Sequence, residues 1–258
     1  MQSFLGALGF LTVLPVGKRA LEQKSLAGSA AYFPLVGLLL GFALAGADYG
    51  LRLAFSDNLI LPSALVITLL VILTGALHFE GFVDSCDGLL GGHSQERRLE
   101  IMRDKRVGAY AVAGGILLLI LKFAAIASLT ADSTRFWILV LFPVLSRCGM
   151  SLALGLFPYV RAQGLGSAFR GMGAIQVITA MLISTIAAVL FGSTGGLILF
   201  ASGTLFVVLL SLGIQRLIGG LTGDTYGAIN ELTEVIILVI GAAMVSHISI
   251  LPCWQEYF

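Results

Sequence analysis

The sequence predicts an all-α, polytopic integral membrane bundle, and three observations carry that prediction. Hydrophobic residues make up 58% of the 258 residues and charged residues only 11%, where a soluble domain carries about 25% charged residues. Mean hydropathy is +1.00. Apolar stretches of roughly 20 residues, long enough to cross a bilayer as a helix, recur along the whole chain. The chain therefore reads as a single membrane domain, residues 1–258, with about seven transmembrane helices, a short N-terminal membrane-embedded segment and a cytoplasmic surface helix.

The elements follow in order. MQSFLGALGFLTVLPVG is apolar but short, ends at Pro15 and Gly17, and lacks the positive start and small-residue cleavage site of a secretory signal. It reads as a retained membrane-embedded segment. A basic loop with Lys18, Arg19 and Lys24 leads to a first span over about Tyr32–Gly50, and a connector with Arg52 and Asp57 to a second over about Leu59–His78. Ser94 is placed to N-cap a helix running to Arg106, with Leu99 and Met102 on one side among charges, the pattern of a helix lying on a membrane surface. A third span covers about Ala109–Leu129 and contains Lys122; after a turn at Asp132 and Arg135 a fourth runs to about Phe157 with Arg147 near its middle. The apolar region Ile175–Gly213 is too long for one crossing and divides at Gly192–Gly196 into spans five and six. A seventh follows the polar stretch Gly223–Glu234 and ends near Leu251.

Lys and Arg concentrate in cytoplasmic loops. With the N-terminus inside, eleven basic residues fall in inside loops (Lys18, Arg19, Lys24, Arg97, Arg98, Arg103, Lys105, Arg106, Arg161, Arg170, Arg216) and two, Arg52 and Arg135, outside. That bias places the N-terminus and the polar patches on the cytoplasmic side. A net charge of +1 gives no whole-chain case for nucleic acid, and none is expected as a partner. Cys86, Cys148 and Cys253 show neither a disulfide framework nor a common zinc spacing.

Two patches carry the chemistry. Glu80, Asp84 and Asp87 recur at i, i+4, i+7, within about 40° of one another on a helix. Unrelieved like charge at that spacing calls for a cation, and a hard divalent ion such as Mg²⁺ takes oxygen ligands and shares them with substrate phosphates. On the second patch, Asp224, Gly227, Asn230, Glu231 and Glu234 fall within an arc of about 120°, with Thr225 and Tyr226 pointing elsewhere. Both patches face the same side, so they read as two walls of one site. Lys122 and Arg147 lie too deep in their spans to snorkel and need anions, either substrate phosphates or a carboxylate of the patches. His78 lies about 160° from Glu80 on an unbroken helix, so either the helix breaks at Gly81 or His78 meets another helix; it reads as a structural histidine, a base or a ligand. Glu96, Glu100 and Asp104, mixed with arginines, read equally as solvated helix ends. Gly88, Gly91, Gly92, Gly164 and Gly166 permit tight turns and close backbone approach to phosphate.

Without any family, this pattern fits transfer of a phosphate-containing group at the membrane surface. Asp84-x-x-Asp87-Gly88 matches the opening of the CDP-alcohol phosphotransferase motif but not its later part. A secondary transporter holding an anionic substrate on Lys122 and Arg147, and an assembly or scaffold subunit, are the competing classes. H-x-E-G-x-x-D-x-x-D-G-L from His78, ERRLEIMRD with V-G after it, Lys122, Arg147, YVRAQGLG and GDTYGAINE together resemble the cobalamin synthase (adenosylcobinamide-GDP ribazoletransferase) family over nearly the whole chain. Departures from its usual pattern are Glu80 in place of aspartate and Ala162-Gln163 in place of a proline-acid pair.

The resemblance implies joining of adenosylcobinamide-GDP, a corrinoid nucleotide, to α-ribazole or its 5'-phosphate with release of GMP. The expected cofactor is Mg²⁺. The setting it implies is the cytoplasmic (inner) membrane of a bacterium or archaeon, with lipid as a partner and a homo-oligomer or a complex with other late cobalamin-pathway enzymes as the assembly. Metal or pyrophosphate binding is carried onto Glu80, Asp84 and Asp87, with Asp104, Asp224 and Asn230 behind them. Lys122, Arg147, Glu231 and Arg103 are the remaining phosphate- or substrate-contacting candidates. The base that takes the ribose hydroxyl proton is one of Asp84, Asp87 and His78.

Overall fold

The computed structural model describes residues 2–16, 26–55 and 58–244. Lys18, Arg19, Lys24, Asp57, His247, Cys253 and the expected end of the last span near Leu251 lie outside those residues. Nine α-helices are described: α1 Gln2–Leu11, α2 Phe33–Phe55, α3 Ile60–Thr74, α4 Leu77–Gly91, α5 Gln95–Ile101, α6 Ala109–Ala127, α7 Asp132–Leu156, α8 Ala174–Ile218 and α9 Gly223–Met244. Short 3-10 turns cover Ala27–Tyr32 and Leu165–Phe169. Among the described residues no strand is formed, and β-pairing is limited to one isolated parallel bridge, Tyr159 with Leu221.

Five of the helices are long and apolar enough to cross a membrane, and six passes result if the bent pair α3–α4 counts as one. α8 adds another. At 45 residues it is too long for one crossing, and Ser193 interrupts it with φ 49°, ψ −136°. The Cys148 Sγ of α7 lies 3.8 Å from the Ala180 carbonyl on the first half, while a Cβ on the adjacent Gly149 would meet Val207 on the second half. A straight helix would put 180 and 207 about 40 Å apart; here both lie beside one point of α7, so the halves run back along each other. With the bent pair counted as one pass, the described helices give about seven, and the break in α8 falls on the FGSTGG stretch.

α7 is the central post, buried along almost its full length. α2 lies directly against it because Gly37 and Gly41 present no side chain to the α7 backbone at Pro143 and Val140, the small-residue approach that lets membrane helices pack closely. The core around Leu139, Leu141 and Phe142 is apolar, but the end of the bundle remote from α4 holds an ion cluster. Arg135, expected in a turn, belongs instead to α7 and is fully buried. It donates to both oxygens of Asp48 on α2 at 2.8 and 2.6 Å, to Ser63 Oγ on α3 at 3.0 Å and to the Ile126 carbonyl at 2.5 Å. Asp48 also accepts from Arg52, which reaches Asp132. Four elements are tied at one point because a buried guanidinium needs every donor occupied.

The second departure from the sequence reading concerns the span ending at His78. α3 stops at Thr74; Gly75 (φ 60°) and Ala76 (φ 57°) are both left-handed, and the chain turns through 93° into α4. The carboxylates therefore stand on a separate helix rather than at the end of a straight one. Downstream, Ser94 caps α5 as expected, accepting from Arg97 N–H at 3.2 Å, but the helix ends at Ile101 instead of continuing to Arg106. Arg98 fixes it by donating to the carbonyls of Leu89 and Leu217, both at 3.3 Å.

Arg135→Met is expected to leave the buried Asp48 with Arg52 alone as its cation and to destabilise the protein by about 3 kcal/mol. Thermal unfolding in detergent checks this. Combining it with Asp48→Leu should recover most of the loss, because the under-compensated buried carboxylate is then gone and Arg52 keeps Asp132.

Candidate active site

α4 and α9 meet through two glycines. A Cβ at Gly81 would come within 2.8 Å of the Asp224 carbonyl, and one at Gly227 within 2.8 Å of the His78 carbonyl. This close crossing sets the first turns of both helices side by side. Beside it lies a cavity of about 240 Å³ lined by Glu80, Gly81, Asp84 and His78 from α4, Asp224, Tyr226 and Gly227 from α9, Met150 and Leu154 from α7, and Phe10 from α1. Tyr159, Arg161, Gly166 and Phe169 of the segment after α7 close it.

That segment is held in place by backbone pairing. Leu221 N–H donates to the Pro158 carbonyl at 2.8 Å and Val160 N–H to the Leu221 carbonyl at 3.0 Å, so the chain leaving α7 lies along the chain entering α9. Arg161 then pairs with Asp224 at 2.6 Å. Gly164 takes φ 132°, and Gly166 packs so tightly on the Tyr159 ring that a Cβ would collide with it. The Tyr159 and Tyr226 rings are stacked with centroids 6.2 Å apart.

The two acidic patches thus meet, but only in part. Glu80, Asp84 and Asp224 line one cavity, and Asp224 and Glu80 are the chief like charges acting on Asp84. Asp87, expected among them, points away. Its Oδ2 accepts from Gly108 N–H at 2.6 Å and its Oδ1 from Ala111 N–H at 2.8 Å, so it caps the N-terminus of α6, where free amides and the helix dipole favour a carboxylate. Asp104 is also elsewhere: it is exposed and engaged by Arg106, whose guanidinium holds the carboxyl below its usual range. Arg103 is exposed outside the lining, close enough for its charge to act on Asp224.

The deeper half of the α9 stripe goes to the bundle interior. Lys122 donates to Glu231 and to Glu234, each at 2.5 Å, and Arg147 donates to Glu234 and to Ser146 Oγ. Asn230 donates to Glu234 at 3.1 Å. Of the two roles open for Lys122 and Arg147, the geometry gives them the ion pair with carboxylates, and with it Glu231 and Asn230 leave the set of cavity-lining residues. The cations that a transporter reading would reserve for an anionic substrate are engaged in the same way. Tyr226, expected to point elsewhere, lines the cavity.

His78 is only 2% exposed, and neither ring nitrogen has a hydrogen-bond partner among the described residues. It meets α9 without any break at Gly81, because the bend at Gly75–Ala76 has already turned α4. Among the described residues no three His, Cys, Asp or Glu side chains are gathered closely enough to hold a metal by themselves. The donor set of Glu80, Asp84 and Asp224 fits a Mg²⁺ ion that takes one or two carboxylates and completes its shell with phosphates and water. Arg161 and Tyr159 are the site residues that sequence reasoning left out. Their signal was the YVRAQGLG segment, whose single cation precedes a pair of glycines.

The fold and cavity define a polytopic helical membrane protein with a charged site at one end of the bundle. Residues 3–242 match the family model CobS, cobalamin-5-phosphate synthase, and the chain belongs to that family. It is 36% identical over 242 residues to the adenosylcobinamide-GDP ribazoletransferase of Geotalea daltonii, covering 93% of this chain and 96% of that one. It is 41% identical over 249 residues to the protein of the same name from Pseudomonas syringae pv. syringae, covering 93% and 98%. No solved structure matches the chain.

Asp87→Ala removes the cap of α6 and is expected to cost about 0.5–2 kcal/mol, read as a lower melting temperature in detergent. Gly227→Ala forces α4 and α9 apart at the crossing and should lower both stability and activity, whereas Gly46→Ala, at a site with open space around it, should change neither.

Proposed function

We propose that the protein is a membrane transferase that joins adenosylcobinamide-GDP to α-ribazole, or its 5'-phosphate, and releases GMP. The observation that carries this reading is the family match over residues 3–242; the cavity supplies the chemistry such a reaction needs. GMP leaves with its own phosphate, so the ribose hydroxyl attacks the phosphorus on the cobinamide side and the bridging P–O bond breaks. Transfer of this kind depends on charge neutralisation and in-line placement more than on covalent help from the protein.

Arg161, held by Asp224, is the cation at the cavity and orients the pyrophosphate. Glu80 and Asp224 are the carboxylates that would hold a Mg²⁺ ion, which would supply charge neutralisation for the transferring phosphate. Asp84 lines the same cavity, is half-buried and has a carboxylate that accepts no hydrogen bond among the described residues, so it is the group that takes the ribose hydroxyl proton. His78 lines the cavity as a buried side chain. Arg97, Arg98, Arg103, Lys105, Arg106, Arg161, Arg170 and Arg216 lie at the cavity end of the bundle, and the bias of basic residues supports a cytoplasmic face for the site at the inner membrane.

With both substrates and Mg²⁺ in lipid, the protein should release GMP. Asp84→Asn is expected to lower kcat by about 10²–10⁴-fold with little change in the KM for adenosylcobinamide-GDP. Glu80→Gln should raise the Mg²⁺ concentration needed for half-maximal rate. Full turnover in excess chelator would remove the metal from the proposal.

A further inference from the structure

The cavity is chemically divided, and the proposed reaction does not use one of its halves. Glu80, Asp84, Asp224 and Arg161 make the polar side, with Arg161 and Asp224 paired at 2.6 Å. The other side is built from Phe10, Met150, Leu154, Phe169, Tyr159 and Tyr226, all members of one contiguous hydrophobic cluster. Phe10 and Phe169 meet edge to face at 4.9 Å, and Phe33 backs both, stacked on Phe10 at 5.9 Å and edge-on to Phe169 at 5.5 Å. This wall is supported from three directions: α1, the start of α2, and the 3-10 turn Leu165–Phe169. Catalysis at the phosphates needs no such surface, so it serves another part of a substrate.

Three groups compete for it. The corrin macrocycle is a broad disc fringed with polar amide groups, and a compact wall of phenylalanine, leucine and methionine would leave that rim without partners. Guanine has a polar edge of several donors and acceptors, and a wall of phenylalanine, leucine and methionine would leave that edge without partners. A methyl-substituted benzimidazole is flat, bicyclic and largely apolar, so it can fill the space and stack on aromatic rings. With the base there, the attached ribose falls at the boundary between the two halves, beside Asp84.

We propose that the apolar half of the cavity, formed by Phe10, Met150, Leu154 and Phe169, is the subsite for the benzimidazole base of the α-ribazole acceptor. This rests on the transferase reading and adds where the acceptor binds and what selects it. α1, an N-terminal element with no part in the acid-base chemistry, thereby becomes a specificity element. The corrinoid donor reaches the cavity only with its pyrophosphate, from the polar side.

The test is a pair of variants on half-buried wall residues, Leu154→Asn and Phe10→Ala, checked for an unchanged melting temperature in detergent. Steady-state kinetics of GMP release should show the KM for α-ribazole rising about tenfold or more, with the KM for adenosylcobinamide-GDP moving less than twofold. Equilibrium binding of α-ribazole alone to the same proteins should weaken in parallel. A rise confined to the KM for adenosylcobinamide-GDP overturns the assignment, and so does unchanged α-ribazole binding in both folded variants. If the unaltered protein binds α-ribazole but releases no GMP, the transferase reading fails while the subsite stands. Failure of the unaltered protein to bind α-ribazole removes the subsite.

Discussion

Glu234 has no exposure to solvent, and the bundle tolerates it because Lys122 reaches it from α6 and Arg147 from α7. Inside an apolar protein surrounded by lipid, a charge without a partner costs several kcal/mol, and a partner on another helix fixes how the helices lie. Lys122, Glu231, Glu234, Arg147 and Asn230 bind α6, α7 and α9 into one unit at the level just beneath the cavity. The Asp48–Arg135 cluster does the same for α2, α3 and α7 at the far end. Between these two points α7 has little freedom to rotate or slide. Met150 and Leu154, one and two turns beyond Arg147, are set at the cavity as a result.

The second constraint is backbone proximity. Gly81 and Gly227 let α4 and α9 touch, and that contact brings Asp224 opposite Glu80 and Asp84. The 93° turn at Gly75–Ala76 aims α4 at α9 in the first place. The cavity is therefore a product of a bend, two glycines and an ion network rather than of a single motif.

Much of this was legible in the sequence. Composition gave the class, glycine clusters gave the division of α8, and Ser94 gave the start of α5. Glu80 and Asp84 were legible because two carboxylates on one face beside an apolar run have few structural uses. Asp87 carries the same charge at the same period, yet its role differs because the start of α6 lies against it. Periodicity describes a face of one helix and is silent about which neighbour each residue on that face will meet. Arg135 was misplaced for a related reason: a cation near a span end normally stays in water, and only the unremarked Asp48, 87 residues earlier in the chain, makes its burial possible.

By itself, the sequence determined that the chain is a membrane bundle of about seven passes, that acidic residues from two distant stretches reach the same side, and that it resembles the family to which it belongs. These follow from hydropathy, charge and residue order, which are properties of the linear chain. The tertiary structure decided which charges are spent on holding helices together and which line the cavity. Lys122, Arg147, Glu231 and Asp87 fall in the first group; Glu80, Asp84, Asp224 and Arg161 fall in the second. That division is made by contacts between helices far apart in sequence, because a buried charge takes the partner that packing brings within reach.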